Sequence, residues 1–304
     1  ALDQPRKLRS ASRRACTTSS NESLSKLLFY LSVAKSNLGR AKTTMITKGL
    51  RSILDVFGDS LASFIFPAPC RICRTVLDTS GRLPVCRGCL GAFQHVPQPR
   101  CHTCGRPFLS PLAATQAVPL CHMCRRGIYA FDLARSFAVY NDSMVRAITV
   151  LKYEAVSPLG DWFAARLHDS VVLDTEFQAV DVVVPVPLDL SRLRQRGYNQ
   201  AELVAQPLAK RLRVPLRAHL LMRTRPRPQR LKLTRRERWQ TVRGAFVMAG
   251  GARVDKLRVL LVDDVFTTGA TLDACARTLR RAGASKILGL TVARVVADWL
   301  SPGA

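Results

Sequence analysis

The sequence predicts an α/β protein with a mainly parallel sheet, preceded by a small module built on four pairs of cysteines. Three observations predict it. Val259–Val262 is an apolar run of strand length that ends in Asp263 and Asp264, then passes through a threonine-glycine loop into an apolar stripe at helical spacing (Leu272, Cys275, Ala276, Leu279). DVVVPVPL, residues 181–188, is a second buried-strand pattern, and it feeds a proline-bent loop, a basic run and another helix. Between Cys70 and Cys124 lie four CxxC pairs.

The first of these patterns has a definite chemistry. A strand that ends in two carboxylates delivers them to the carboxyl edge of a sheet, where ligands of α/β folds sit. The loop Val265-Phe266-Thr267-Thr268-Gly269-Ala270 offers backbone N–H groups, two hydroxyls and a glycine, so an anion can approach closely. Thr271 occupies the expected N-cap of the following helix, whose N-terminus adds partial positive charge. A ligand with a phosphate at one end and a diol a few ångströms away fits this layout. The GxGxxG and GxxxxGK[ST] phosphate loops are both absent.

The chain has 304 residues, 47% of them apolar, and a formal charge of +26. The segment Arg211–Arg243 holds 12 basic residues against Glu237 alone. No apolar run approaches the roughly 20 residues of a membrane span. Ten cysteines are present, and eight fall into CxxC pairs, which suggests metal in a reducing compartment rather than disulfides.

In chain order, residues 1–44 are rich in Arg, Lys and Ser and poor in acids; they read as a disordered tail, a transit-type segment or an over-long gene start, Met45 being the first methionine. Residues 45–69 carry an apolar stripe (Leu50, Ile53, Leu54, Phe57, Leu61) and form an amphipathic helix. Residues 70–127 form the cysteine module. Cys70/Cys73, Cys86/Cys89, Cys101/Cys104 and Cys121/Cys124 each put two thiolates on one turn, and two such turns make a closed tetrahedral site, so eight ligands hold two structural zinc ions. Sequential pairing gives two zinc ribbons and interleaved pairing a cross-brace; sequential closure costs less loop entropy. His102 and His122 lie inside CHxC turns as exposed neighbours of ligands. Residues 128–300 show the α/β pattern: a strand over 131–140, helices over 143–151 and 161–173, the strand over 181–188, a helix to about Leu212, and strands over 256–261 and 286–296. Cys275 reads as a core residue.

The segment 259–271, VLLVDDVFTTGAT, resembles the phosphoribosyl pyrophosphate (PRPP) motif of type I phosphoribosyltransferases. Together with LKY at 151–153, VPVPL at 184–188 and RxRGYNQ at 194–200, behind a double CxxC ribbon, it is similar to the ComF family associated with bacterial competence. The match spans roughly residues 60–297. The resemblance implies a type I phosphoribosyltransferase-like domain. It implies that Asp263 and Asp264 contact the ribose hydroxyls as the catalytic pair, and that Val265, Thr267, Thr268, Gly269, Ala270 and Thr271 hold the 5′-phosphate. Val186, Pro187, Arg194, Arg196 and Lys152 would complete the PRPP site, with Mg²⁺ bridging pyrophosphate and diol. It also implies partnership with single-stranded DNA and with other competence proteins. One departure stands out: family members carry Arg-x-x-Asn ahead of a Gly-Ala-Phe strand start, and here Arg238 and Gly244-Ala245-Phe246 are present but Thr241 replaces the asparagine.

The basic stretch from Arg223 to Arg243 sits where type I phosphoribosyltransferases place a mobile lid over pyrophosphate. Its charge exceeds what a lid needs, so Arg225, Arg227 and Arg230 read as nucleic-acid contacts, with Trp239 stacking on a base. A plain lid or a solvated loop accounts for the same residues. Two functions therefore follow from the sequence: PRPP-dependent phosphoribosyl transfer or PRPP binding, and a non-catalytic single-stranded-DNA adaptor that keeps the fold.

Overall fold

The computed structural model describes residues 69–77, 82–108, 117–226 and 233–296. The tail over 1–44, the amphipathic segment over 45–69 (Pro69 excepted), Arg227 and Arg230 lie outside them.

The cysteine region has little regular structure. Its helices are α1 (Arg87–Gly91) and α2 (His122–Arg125), and each begins at a cysteine in the N-cap position, Cys86 and Cys121. The α/β part then runs β1 (Leu133–Val139), α3 (Asp142–Tyr153), α4 (Ser157–Val171), α5 (Thr175–Gln178), β2 (Val182–Pro185), α6 (Leu190–Arg196), α7 (Gln200–Leu212), β3 (Leu221–Arg223), α8 (Arg235–Val242), β4 (Phe246–Met248), β5 (Arg258–Phe266), α9 (Ala270–Arg281) and β6 (Lys286–Arg294).

Four strands form a parallel sheet in the order β1-β6-β5-β2, while β3 and β4 make a separate antiparallel ribbon. Strands buried on both faces read as continuous Val/Ile/Leu runs, as β2 does; β2 is buried at every position, and so is β1 although it carries Arg135 and Ser136. Alternate residues feed two cores. Val183, Leu260, Val262 and Leu288 pack with Phe163 of α4 and Val204 of α7. Val182, Val184, Val259 and Leu261 pack with Leu272 and Leu279 of α9. The cysteine region divides in the same way: Cys70, Ile72 and Phe93 join the first core, and Cys101, Cys104 and Cys121 the second.

Both edges of the sheet are covered. Val96 donates to Phe137 O at 3.4 Å, Val139 to Gln94 O at 2.8 Å, and Ala134 to Thr103 O at 2.7 Å, so β1 is paired along its outer side. Beyond β2, Val183 donates to Pro215 O at 3.0 Å and Arg217 to Val183 O at 2.9 Å.

Three sequence expectations need correction. The strand expected to end before the acidic pair continues as β5 to Phe266, so Asp263 and Asp264 are strand residues. The basic run Arg192–Arg196 is helical, because Asp189 caps α6 and Gly197, at φ 77°, ends it in the left-handed region. The N-cap of α9 is Gly269 at φ 79°, not Thr271, which lies in the first turn. A Cβ on Gly269 would lie 2.7 Å from the rings of both Phe266 and Tyr129, so only glycine fits that turn.

Helices α4 and α7 pack closely at Gly160, where an added Cβ would lie 2.6 Å from Leu203 O. Since the obstacle is backbone, the helices must separate to admit it. Gly160→Ala should therefore lower stability by about 1–3 kcal/mol in urea unfolding; an unchanged or raised midpoint would show that the contact does not set the packing.

Candidate functional site

The carboxyl ends of β5 and β2 open into a polar cavity of about 370 Å³. Along β5 the side chains alternate, so the two adjacent aspartates differ in burial although both line the cavity. Asp264 is 7% exposed, while Asp263 is half-buried and lines the cavity. Burial alone would raise the Asp264 carboxyl, but Lys152 Nζ at 2.8 Å and the Gln200 amide, donating at 3.1 Å, hold it below the ordinary carboxylate range. Asp263 Oδ1 accepts the Asp264 N–H at 2.9 Å.

The segment 194–200 builds the frame for that carboxylate. Asn199 caps α7 by accepting from Ala201 N at 3.0 Å, and its amide donates to Val186 O at 3.0 Å, which fixes the loop after β2. The Tyr198 hydroxyl donates to Leu151 O at 3.1 Å and accepts from Ala155 N at 2.9 Å, fixing the end of α3 that carries Lys152. Arg196 donates to Gln200 Oε1 at 2.9 Å and lies over the Tyr153 ring at 4.8 Å. This orients the Gln200 amide so that its nitrogen meets Asp264.

The phosphate-loop candidates follow β5 directly. Thr267 and Thr271 line the same cavity as Asp263, Asp264, Val265, Lys152, Val186, Pro187 and Arg196. Thr268 and Ala270 line an adjoining recess of about 30 Å³ with Thr267 and Thr271, and Arg223, Arg238 and Thr241 face them across it. The 12-residue helix α9 starts at this loop, so its first-turn N–H groups and positive end lie beside the hydroxyls, and Ala270 N donates to Thr268 Oγ1 at 3.4 Å. Gly269 sets the turn. Arg194 is exposed and is not among the cavity-lining residues, whereas Arg192 is, 3.8 Å from Asp189.

Sequence reasoning assigned Gln200, Tyr140, Arg223 and Arg238 no role as ligand contacts, yet all four line the cavity. Gln200, Arg223 and Arg238 belong to segments the sequence had singled out. Tyr140 carried no local signal, because only the sheet brings the end of β1 to this edge.

The eight cysteines collect sequentially. Cys70, Cys73, Cys86 and Cys89 form one group and Cys101, Cys104, Cys121 and Cys124 the other, with all ligand atoms in each within 4.8 Å of one another. Sulfur–sulfur separations of 3.6 Å (Cys73–Cys86), 3.9 Å (Cys70–Cys89) and 3.7 Å (Cys104–Cys121) recur. Four sulfurs ~2.3 Å from a tetrahedral ion lie ~3.8 Å apart, so each group could hold a metal ion. Backbone N–H groups of Cys86 and Cys121 donate to Cys70 and Cys101 Sγ, each at 3.3 Å, as thiolates require. His102 and His122 are exposed and belong to neither group. Cys275 is fully buried, and burial pushes its thiol up.

Of the nucleic-acid candidates, Arg225 is exposed and donates to Arg243 O at 3.1 Å. Trp239 is half-buried on α8, with its ring stacked on Tyr129 at 6.0 Å. It lines an apolar groove of about 920 Å³ between α8, α9 and the residues after Cys121.

Comparison with known proteins finds related chains. The DNA utilization protein YhgH of Salmonella typhimurium is 30% identical over 224 residues, covering 73% of this chain and 94% of that protein. Competence protein ComFC of Bacillus subtilis is 27% identical over 220 residues, covering 69% of this chain and 84% of that protein. Among solved structures, a purine phosphoribosyltransferase from Pyrococcus horikoshii aligns with 44% of this chain and 84% of its own, at 18% identity and a TM-score of 0.27. No family model matches the chain.

The Lys152–Asp264 pair makes a measurable prediction. Because the Asp264 carboxyl is held below its ordinary value, its stabilising contribution is complete above the ordinary carboxylate range and is lost as pH falls through the lowered folded value. Lys152→Met leaves a buried charge uncompensated and should cost about 3 kcal/mol near neutral pH. That deficit should shrink as pH falls, because Asp264 protonates more readily in the variant. Lys152→Met/Asp264→Asn should recover most of it. A deficit independent of pH would show that Lys152 acts through packing alone.

Proposed function

This chain belongs to the ComF family, and from that premise we propose that it is a cytoplasmic, PRPP-binding phosphoribosyltransferase-like protein serving DNA uptake. The observation that carries the reading is the joint opening of the acidic pair and the threonine loop into one polar cavity. A bare phosphate site has no use for two carboxylates, which would repel it; a ribose phosphate needs both features.

In this reading Asp263 and Asp264 accept hydrogen bonds from the ribose hydroxyls, and Lys152 with Gln200 keeps Asp264 ionised for that task. Thr267, Thr268 and Thr271, with the N–H groups at the start of α9, hold the 5′-phosphate. Val186, Pro187, Arg192 and Arg196 face the pyrophosphate side of the cavity. Mg²⁺ would supply charge neutralisation between pyrophosphate and diol, and the half-buried Asp263 carboxylate is an oxygen donor suited to it. Transfer at the anomeric carbon develops positive charge on the ribose, so the chain's part is positioning and charge stabilisation. The two cysteine groups hold structural zinc, since four thiolates leave no open position.

One observation favours a second reading, a single-stranded-DNA adaptor. The groove beside Trp239 has Val242 and Phe246 in its floor and Arg235, Arg236, Arg243 and Arg281 at its rim. These four are exposed and make no side-chain ion pair among the described residues. An aromatic and apolar floor under guanidinium groups suits stacked bases and phosphates. Among the described residues no helix is long and apolar enough to cross a membrane. Other competence proteins are further proposed partners.

Calorimetric titration with PRPP and Mg²⁺ tests the first reading. Asp263→Asn/Asp264→Asn should weaken binding on the order of 100-fold, the loss of two charge-assisted hydrogen bonds, and leave DNA affinity unchanged or slightly raised. No binding by zinc-loaded parent protein would reject it. Replacing Arg235, Arg236, Arg243 and Arg281 by Gln should weaken single-stranded-DNA binding and flatten its salt slope by as much as ~3; an unchanged slope would reject the groove. Metal analysis should return about two zinc per chain.

A further inference from the structure

The second cysteine group and the phosphate loop are joined by a short strap. Cys124 is followed by residues 128–130, and each of the three is bonded to α9 or to the loop that precedes it. Ile128 O accepts from Arg277 Nη2 at 2.8 Å. The Tyr129 hydroxyl donates to Thr268 O at 3.0 Å. Ala130 N donates to Asp273 Oδ1 in the first turn of α9 at 2.8 Å. Asp273 is buried and is paired on its other oxygen with Arg277 at 2.8 Å, so this anchor cannot swing away freely.

The ring of Tyr129 does as much as its hydroxyl. It stacks on Phe131 at 4.7 Å and meets Phe266 edge-on at 6.3 Å. It presses on the loop where Gly269 turns, close enough that a Cβ there would lie 2.7 Å from it. From the metal side, Arg294 donates to Cys104 O at 2.7 Å and lies over Phe266 at 4.7 Å, so the last strand residue before the loop is also tied to the cysteine turn. Among the described residues the first cysteine group has no such link to the phosphate loop: Cys70, Ile72 and Phe93 pack in the other core, with α3, α4 and α7, and Arg71 pairs with Glu154 at the end of α3 at 3.4 Å.

We infer that Tyr129 is a positioning residue through which the second four-cysteine group sets the shape of the phosphate loop, so that metal occupancy there governs affinity for the phosphate end of the ligand. The inference rests on the PRPP reading of the site. It assigns the two metal groups different tasks, the second tuning the ligand site and the first supporting the opposite core.

The test uses the zinc-loaded full chain and two probes, ribose 5-phosphate for the loop and magnesium pyrophosphate for the remainder of the cavity. Tyr129→Phe keeps the ring contacts and removes only the donor. It should weaken ribose 5-phosphate roughly fivefold, the contribution of a single hydrogen bond, and leave magnesium pyrophosphate and zinc content unchanged. Tyr129→Ala should weaken ribose 5-phosphate further. Cys124→Ser, which removes a ligand of the second group, should do the same, whereas Cys73→Ser in the first should not. Equal loss for both probes, or no loss in Tyr129→Phe, overturns the inference even if Cys124→Ser fails to fold. Failure of the parent protein to bind ribose 5-phosphate and PRPP rejects the PRPP reading itself, and this inference with it.

Discussion

A carboxylate placed inside a protein must find a partner for its charge, and much of this molecule is arranged to provide one for Asp264. The strand position puts it among apolar neighbours, where ionisation is costly. Lys152 reaches it from the end of α3 and Gln200 from the start of α7. Those two helices are in turn fixed to each other by Tyr198 and Arg196. The same bonds set the loop after β2 through Asn199 and Val186. The edge of the site is thus preorganised by a connected polar network in which every member answers to the charge on one residue.

The cysteine groups are continuous with the α/β part. Each contributes buried residues to one of the two cores, so the sheet is sandwiched between helices that are themselves flanked by metal-type turns. Buried arginines make the junction. Arg135 donates to His102 O at 2.7 Å and Arg294 to Cys104 O at 2.7 Å, carrying sheet residues directly to the cysteine loops. A region with so few apolar residues gains a fold by borrowing one side of a larger core.

What was legible in the sequence was what depends on near neighbours. Asp263 and Asp264, the threonine-glycine loop and the sequential CxxC pairs are local patterns, and the strand and helix periodicities around them are strong. What was not legible depends on residues far apart in the chain. Thr271 looked like the cap, but Gly269 has that position because Tyr129, 139 residues from the Thr268 carbonyl it bonds, leaves no room for a side chain. The arginines of 194–200 looked alike as ligand contacts, but Arg196 both lines the cavity and bonds Gln200 and Tyr153, while Arg194 is exposed and is not among the cavity-lining residues. Trp239 among arginines looked like a base platform, and its ring is already stacked on Tyr129 while lining the groove.

The pairing along β1 has a consequence for life at high concentration. A parallel sheet with a bare outer strand is a template for the strands of other molecules, and β1 (Leu133–Val139) is the outer strand here. Here the template is occupied by residues 94–96, the linker between the two cysteine groups, and by Thr103 in the second. The opposite edge is occupied by residues 215–217. The segment that separates the two cysteine groups therefore also closes the sheet edge, so the metal-type turns at its two ends flank the strand pairing they leave room for.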